Sequence, residues 1–460
     1  MGSKKNAWLK FDDTKKEEIF SFCEGYKKYI SDCKTERESI KEAISLAESK
    51  GYRDLKNVIS AGKSLKAGDK VYYNNMDKSL ALFLIGSESI ESGMRIIGSH
   101  VDSPRLDLKP NPLYEDSELS LMETHYYGGV KKYQWVTIPL ALHGVVVKKD
   151  GTKIDVVVGE EETDPVVMVS DLLIHLAAEQ QQKKAAEVIA GEDLNILVGS
   201  MPLEGEEKEA VKANILKLLK EKYDFEEEDF MSAEIEIVPA GKARDLGLDR
   251  SMVAGYGHDD RICAYTSLLA LLETENTKKT SVVLLVDKEE VGSIGATGMQ
   301  SRFFENAVAE LMDRVGEYSE LKLRRALANS KMLSSDVTAA FDPNYAGAYE
   351  KKNSAFFGKG LAFAKYTGAR GKSGCNDANA EFVAWLRNVM DENDVAYQMA
   401  ELGKVDQGGG GTIAYILAEY GMEVIDCGVA LQNMHAPWEV ASKVDIFETM
   451  RGYKAFLIAE

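Results

Sequence analysis

The spacing of apolar residues changes along the first half of the chain. Between 15 and 50, apolar positions recur every three or four residues among many charges, which predicts amphipathic helices. Two strand-like runs follow, at 81–85 and 94–97. From about 108 to 245 the texture is different: alternating runs predict antiparallel strands, while 172–190 and 207–222 have helical character.

Alternating helices and strands return after residue 246. A helical run at 262–272 precedes the apolar strand 281–286, and helices near 376–391 and 412–420 precede a strand at 423–425. This order predicts an α/β fold. The catalytic domain would combine residues 1–107 and 246–460, and residues 108–245 would form a β-rich insertion.

The composition excludes several classes of function. The 460 residues carry a formal charge of −19, which argues against a nucleic-acid or anionic-membrane partner because phosphate binding needs concentrated Lys and Arg. The five Cys are scattered and form no CxxC, so neither a disulfide framework nor a thiolate zinc site is expected. No signal peptide and no membrane-spanning run is found, and a cytoplasmic protein is expected.

Two short motifs place potential ligands at the ends of elements. His100 and Asp102 follow a predicted strand, where the imidazole could bind a metal and the carboxylate could accept a hydrogen bond from its other nitrogen. Asp259 and Asp260 open a predicted helix, where a carboxylate could bridge two cations. Each motif alone has a simpler explanation, a solvated loop pair for the first and a helix N-cap for the second.

The third motif is Glu289-Glu290, directly after the apolar strand 281–286. Adjacent side chains on an extended backbone diverge, so one carboxylate can bind a metal while the other reaches the water that the metal activates. An acidic loop is the alternative. Asp336 and His435 add two more candidates in later connections. Taken in order, these oxygen and imidazole ligands without thiolates suit a two-zinc hydrolytic site.

The same segments resemble a known family. Residues 98–105, 259–261, 287–293 and 434–435 are similar to the aspartyl aminopeptidase / aminopeptidase I family of co-catalytic zinc exopeptidases, and the chain is similar to its bacterial members. The segments 335–337 and 342–345 also match. The matches extend over nearly the whole chain in the family's order. The resemblance implies a zinc-peptidase catalytic domain, a mixed sheet flanked by helices, with an inserted dimerisation domain.

The resemblance also assigns roles to residues. It implies that one zinc is held by His100, Asp336 and a bridging Asp259, and that the other is held by Glu290, His435 and the same Asp259. Co²⁺ or Mn²⁺ would fit the same ligands. Asp102 would orient His100. Glu289 would be the general base that takes a proton from water and returns it to the leaving amine.

Assembly and substrate recognition follow from the resemblance with alternatives open. It implies dimers that assemble into a tetrahedral homododecamer, with a His of the insertion reaching the neighbouring active site. His175 is the favoured candidate, and His125 and His143 are the alternatives. Gly410 and Gly411 belong to a glycine run that would lie near the substrate. A preference for N-terminal Asp or Glu would need a cation, for which Lys365 is the candidate in the basic segment 365–372.

The function expected is therefore hydrolysis of the N-terminal residue from peptides with a free amino terminus. Two alternatives remain at this point. One is a related zinc deacylase or carboxypeptidase, which would use the same ligands and differ in its substrate pocket. The other is a non-catalytic assembly subunit. The presence of every expected ligand and of the base argues against the last of these.

Overall fold

The computed structural model describes residues 5–460. Their contacts divide the chain into two compact units. Unit 1 contains the residues up to Asp102 together with Ala243–Met434 and Glu439–Glu460. Unit 2 contains Ser103–Lys242 and the short segment His435–Trp438.

Unit 1 is built on a nine-stranded mixed sheet. The nine strands are β1 (Arg53–Asp54), β2 (Lys70–Asn75), β3 (Ser79–Leu84), β4 (Arg95–His100), β14 (Ser281–Val286), β15 (Lys331–Ser335), β17 (Leu361–Ala364), β18 (Tyr397–Met399) and β19 (Glu423–Gly428). Their order across the sheet is β1-β2-β3-β14-β4-β15-β19-β17-β18. The four central strands, β14, β4, β15 and β19, are parallel.

The central strands are apolar along most of their length because both faces of the sheet are covered. In β14, Val283 and Leu285 pack into the core on one face, while Val282 and Leu284 pack into the core on the other. The helices of unit 1 are α1 (Asp13–Asp32), α2 (Glu36–Ser49), α3 (Leu55–Ser60), α5 (His258–Leu272), α6 (Phe303–Arg314), α7 (Glu320–Ala328), α8 (Ala369–Lys372), α9 (Ala380–Glu392), α10 (Ala414–Ala418) and α11 (Lys443–Ile458).

A second sheet of unit 1 has five short strands. These are β12 (Arg244–Leu246), β13 (Met252–Gly255), β16 (Thr338–Ala339), β20 (Ala430–Gln432) and β21 (Glu439–Ser442). Their order is β12-β13-β21-β20-β16. Because β13 leads into α5 and β16 follows β15, this sheet supports two segments that carry candidate ligands.

Unit 2 is a seven-stranded sheet with one helix, α4 (Ala210–Tyr223). The strands are β5 (Arg105–Asp116), β6 (Leu119–Tyr127), β7 (Leu140–Val147), β8 (Lys153–Val158), β9 (Met168–Val169), β10 (Ile196–Gly199) and β11 (Ala233–Pro239). Their order is β8-β7-β11-β5-β6-β10-β9, and all the strand pairs are antiparallel.

The α/β class with a β-rich insertion is confirmed, as are most of the predicted elements. One prediction is wrong. The segment 172–190 is not a helix and contains only the short 3₁₀ turns Ile174–Leu176 and Gln180–Gln182. The predicted domain limits at 107/108 and 245/246 fall inside β5 and β12. Among residues 5–460, no helix combines the length and the apolar character needed to cross a bilayer.

Candidate metal centre

The candidate ligands of unit 1 meet at one edge of the nine-stranded sheet. His100 is the last residue of β4, Asp336 directly follows β15, and Glu289 comes three residues after β14. These three strands are adjacent and parallel, so their carboxyl ends lie at the same edge. Asp259 is in the first turn of α5, which packs against β4 and β14. Such an edge is where open α/β sheets bind their ligands.

His100 lies at the middle of this group. Its side chain is 2% exposed. Its Nδ1 is 2.9 Å from the main-chain oxygen of Asp102 and 3.3 Å from that residue's carboxylate. Its Nε2 faces the other way, at 3.2 Å from Asp259 Oδ1, 3.7 Å from Asp336 Oδ1 and 3.9 Å from Glu289 Oε2. The ring is therefore fixed through one nitrogen while the other points at carboxylates.

These atoms fit a divalent cation. Nε2 of His100 is buried and makes no hydrogen bond with any described residue, although three carboxylates surround it. So many carboxylates around a single imidazole repel one another unless a cation lies among them. The imidazole and carboxylate oxygens are the donors that zinc accepts. His100, Glu289 and Glu290 each offer a ligand atom within 4.8 Å of the others, and so do His100, Asp260 and Asp336.

The carboxylate of Asp102 also supports the Glu289-Glu290 turn. It is fully buried, and its two oxygens accept the main-chain N–H groups of Glu289 and Glu290, each at 3.2 Å. The turn begins after Lys288, which has a left-handed backbone. One carboxylate thus fixes both the first histidine and the pair of glutamates. Only the contact with His100 is predictable from the sequence.

Asp259 and Asp260 differ in their surroundings. The backbone at Asp259 is extended (φ −80°, ψ 107°) although it lies in the first turn of α5, and its N–H donates to Glu439 Oε2 at 3.0 Å. Asp260 is wholly buried, and its Oδ2 accepts the main-chain N–H of His100 at 3.4 Å. Arg261 anchors the turn by donating to the main-chain oxygens of Lys34 and Tyr256.

The pKa values of the group reflect this crowding. Burial, together with the charges of Asp336, Asp102 and Asp259, raises the pKa of Glu289 to about 8 against the opposing effect of His100. Burial and the charge of Asp259 also raise the pKa of Asp336 against the effect of His100. Burial lowers the pKa of His100, but the carboxylates of Asp102, Asp259 and Asp336 outweigh it and raise that pKa well above its usual range.

The remaining histidine candidates lie in unit 2. Nδ1 of His435 is 2.9 Å from the main-chain oxygen of Gly129, and the residue has a left-handed backbone. His175 is exposed in the 3₁₀ turn Ile174–Leu176. His143 is buried with its Nε2 3.0 Å from Glu160, which explains it as a paired core residue, and Nδ1 of the exposed His125 is 2.7 Å from the main-chain oxygen of Tyr126.

The predicted substrate loops of unit 1 contact each other. The N–H of Gly410 donates to the main-chain oxygen of Thr367 at 3.1 Å, which joins the glycine run to the basic segment. Between the two loops lies a cavity of about 240 Å³, whose lining includes Lys372 and Lys404. The lining includes neither Gly410 nor Gly411. Lys365 does not line it either, and its half-exposed side chain faces Asp377 at 3.9 Å.

Several supporting residues had no signal in the sequence. Glu439 holds the main chain of Asp259, and Tyr453, buried on α11, hydrogen-bonds Ser335, the residue before Asp336. Asp426 on β19 accepts a hydrogen bond at 2.6 Å from Thr412, which ends the glycine run. Burial raises the pKa of Asp426 to about 7 against the opposing hydrogen bond from Thr412. The contacts of Glu439 and Tyr453 arise only when distant parts of the chain pack together, whereas Thr412 and Asp426 are 14 residues apart.

Known proteins are similar to this chain in sequence and in fold. The chain is 66% identical over 454 residues to a probable M18 family aminopeptidase 1 of Clostridium acetobutylicum, with 98% of each chain covered. The crystal structure of an M18 family aminopeptidase from Thermotoga maritima superimposes with a TM-score of 0.95 at 46% identity, covering 99% of each chain. The dodecamer structure of mApe1 from S. cerevisiae shares the fold, with a TM-score of 0.77 at 20% identity over 95% of this chain and 96% of that one.

The match to the family extends over most of the chain. The sequence pattern described as Aminopeptidase I zinc metalloprotease (M18) matches residues 29–457, which include every candidate ligand and the candidate base. The expected kinship with bacterial aminopeptidases is confirmed, and so is the expected enzyme class. The chain belongs to the aminopeptidase I (M18) family of zinc metalloproteases and is a zinc-dependent aminopeptidase.

Proposed function

We propose that the enzyme uses two zinc ions per subunit to remove single N-terminal residues from peptides. His100, Asp336 and Asp259 would hold one ion, and Glu290, His435 and the same Asp259 would hold the other. The observation that carries the first set is the buried Nε2 of His100, which makes no hydrogen bond among residues 5–460 and faces three carboxylates. His435 is assigned to the second set because the segment Met434-His435 resembles the corresponding segment of the family.

Glu289 is the proposed general base. Its main chain is held by Asp102, and its carboxylate is partly exposed, at 15%, so water and substrate can reach it. Bound zinc would supply Lewis acidity, polarising the peptide carbonyl and making water more acidic. Glu289 would take the proton of the attacking water and deliver it to the nitrogen of the leaving amine. Co²⁺ and Mn²⁺ are proposed substitutes because they accept the same donors.

A preference for acidic N-terminal residues is the finer part of the proposal. The support for it is that Lys372 and Lys404 line the cavity between the loops at 365–372 and 401–409. Glu401 and Asp406 line the same cavity, and Lys372 pairs with Asp377 at 3.0 Å. Lys365 stays a candidate as well. Gly410 and Gly411 would present main-chain N–H groups toward the substrate, without side chains in the way.

Assembly and location complete the proposal. Unit 2 would be the dimerisation domain, and dimers would form a tetrahedral dodecamer, in keeping with the dodecamer of the yeast protein mApe1. The exposed apolar run around His175 supports an interface there, because soluble monomers rarely leave such runs uncovered. A cytoplasmic location is proposed because all five cysteines are free.

The experiment is a panel of N-terminal aminoacyl p-nitroanilides (Asp, Glu, Leu, Ala and Lys) given to metal-stripped protein with and without added Zn²⁺, Co²⁺ or Mn²⁺. We expect release that returns with metal and that N-acetylation of the substrate abolishes. Glu289→Gln should bind two zinc ions and lose most turnover, since an amide cannot accept the proton. If that variant remains fully active, Glu289 is not the base. Release of acetate from an N-acetylated substrate, with the anilide bond left intact, would instead indicate a deacylase.

A further inference from the structure

Two basic residues begin neighbouring strands at the edge of the sheet opposite the metal centre. Arg95 is the first residue of β4 and Lys331 is the first residue of β15, and the two are paired in the register of these parallel strands. The length of β4 separates Arg95 from His100, which is about 16 Å at the rise of an extended strand. The two cations are therefore remote from the proposed chemistry.

Both side chains lie against one indole ring. The guanidinium carbon of Arg95 is 5.0 Å from the ring centroid of Trp385 on α9, and Nζ of Lys331 is 5.3 Å from it. Arg95 is only 5% exposed, and its Nε is buried without a hydrogen-bond partner. Within residues 5–460, no carboxylate lies within 4.0 Å of a nitrogen of either side chain.

The nearest carboxylates have other partners. Glu423, which acts on Lys331 from beyond that distance, accepts two hydrogen bonds from Asn379 at 3.1 Å. Glu88, which acts on Arg95 in the same way, pairs with Lys279 at 2.9 Å. The side chain of Glu460 pairs with Lys278 at 2.6 Å, and its main-chain oxygen accepts from the indole N–H of Trp385 at 3.3 Å.

The end of α11 compensates only part of the charge. The main-chain oxygen of Leu457 accepts a hydrogen bond from Ser281, which is paired in register with Arg95, so the negative end of the helix dipole is close. That end is equivalent to about half an elementary charge, against two full positive charges. Burial and the neighbouring Arg95 both lower the pKa of Lys331, which indicates that the two cations repel each other.

We propose that Arg95, Lys331 and Trp385 form a binding site for a small oxyanion, a phosphate or a carboxylate. The guanidinium fork donates two parallel hydrogen bonds to either group, and the lysine adds a compact second charge. The indole forms an apolar wall that keeps both cations in place through cation–π contacts. Bound oxyanion would satisfy donors that the chain itself leaves without an acceptor.

The test is thermal unfolding of the zinc-loaded protein at constant ionic strength, with chloride replaced stepwise by inorganic phosphate, sulfate or acetate. The variants are Lys331→Met and Arg95→Met. Lys454→Met is the matched control, because it removes a partly exposed cation of unit 1 that has its own carboxylate partner, Glu273, at 3.1 Å. If the Arg95 variant does not fold, Lys331→Met carries the test by itself, since Lys331 is only partly buried.

We expect the effect of Lys331→Met to change sign with the anion. In chloride the variant should melt at or above the wild-type temperature, because the repulsion with Arg95 is gone. In phosphate or sulfate the wild type should melt higher, with an apparent affinity about tenfold stronger than that of the variant. A stronger response to phosphate indicates a phosphoryl ligand, and a stronger response to acetate indicates a carboxylate.

Two results would overturn the proposal. Equal responses of wild type and Lys331→Met to every anion would locate any binding elsewhere, including at the zinc ions. A lower melting temperature for Lys331→Met in chloride would make Lys331 a structural cation that needs no ligand. The Lys454→Met control should follow the wild type in each salt.

Discussion

Asp102 contacts three residues of the candidate centre, whereas the sequence predicts only its contact with His100. Its carboxylate faces His100 and accepts the main-chain N–H groups of Glu289 and Glu290. A neutral amide has one acceptor oxygen and would turn its NH₂ group toward one of these donors. The positions of a ligand and of the proposed base therefore depend on this single charge.

We expect Asp102→Asn to weaken zinc binding by about 10- to 100-fold and to lower kcat, because groups that orient a metal ligand have effects of this size. Competition with a chromogenic chelator measures the affinity, and turnover at saturating zinc separates the effect on kcat. Asp116→Asn, at an exposed carboxylate of β5, is the control and should change neither. Unchanged zinc affinity in Asp102→Asn would show that the carboxylate does not support the ligands.

The adjacent Asp259 and Asp260 allow a matched pair of variants. Asp259 Oδ1 is 3.2 Å from Nε2 of His100, whereas Asp260 accepts the main-chain N–H of His100. We therefore expect Asp259→Asn to reduce the zinc content at both positions and Asp260→Asn to retain both ions. Metal analysis of the dialysed proteins measures this. The opposite pattern would make Asp260 the bridging ligand.

The candidate residues His100, Glu289 and Glu290 were predictable because they follow apolar runs typical of buried strands, and parallel strands bring their ends together. Asp336 also follows a parallel strand, β15, but the sequence pattern does not predict that strand and places Asp336 only in a later connection. The supporting contacts were not predictable. Glu439 is 180 residues away from Asp259 and joins it only through the packing of β21 beside β13.

At the scale of elements, the glycine run is fixed at its end. Thr412 donates to the buried Asp426 of β19, which is the neighbour of the strand that leads to Asp336. Thr412→Val keeps the shape and removes the donor, at a cost of about 1–3 kcal/mol for a buried acceptor without its partner. We expect a higher KM with unchanged zinc content. Steady-state kinetics with metal analysis checks this, and an unchanged KM would contradict a role of the run in substrate binding.

The segment 172–190 shows where local sequence misleads. Its second half, rich in Glu, Gln, Lys and Ala, has high helix propensity, yet only two short 3₁₀ turns form. A helix needs one apolar face to bury, whereas Leu172, Leu173, Ile174 and Leu176 are nearly consecutive and all exposed. Propensity without a face to pack is too weak to decide the structure.

At the scale of the molecule, Asp245 connects both ends of the chain within unit 1. It pairs with Lys27 of α1 at 2.7 Å and with the wholly buried Lys443 of α11 at 2.8 Å. Burial would raise the pKa of Asp245, but hydrogen bonds from Lys27, Lys443 and Arg250 lower it well below its usual range. The carboxylate therefore stabilises the fold above the unfolded-state pKa of about 3.9, and this stabilisation is lost as the pH falls through the lower folded value.

We expect Asp245→Asn to lower the free energy of unfolding by about 3–5 kcal/mol at neutral pH, because the charge of Lys443 would be left buried. The difference from wild type should shrink as the pH falls below about 4. Denaturant unfolding across this pH range measures it. Glu24→Gln, which removes an exposed partner of Lys27, should cost no more than about 1 kcal/mol. A difference that does not change with pH would contradict the ionic explanation.

The exposed apolar residues around His175 are the feature of the chain that bears on the proposed assembly. Leu173, Ile174 and Leu176 are 56%, 64% and 67% exposed around His175, and a soluble protein rarely leaves such a run uncovered. If this run lies in the interface of the proposed oligomer, Leu173→Asp should lower the mass measured by light scattering, because a charge would have to be buried there. Leu9→Asp, at a still more exposed leucine of unit 1, should leave the mass unchanged. His175→Ala then separates assembly from catalysis: if this histidine reaches a neighbouring active site, turnover falls while the mass stays the same. A Leu173→Asp protein with the wild-type mass would place the interface elsewhere.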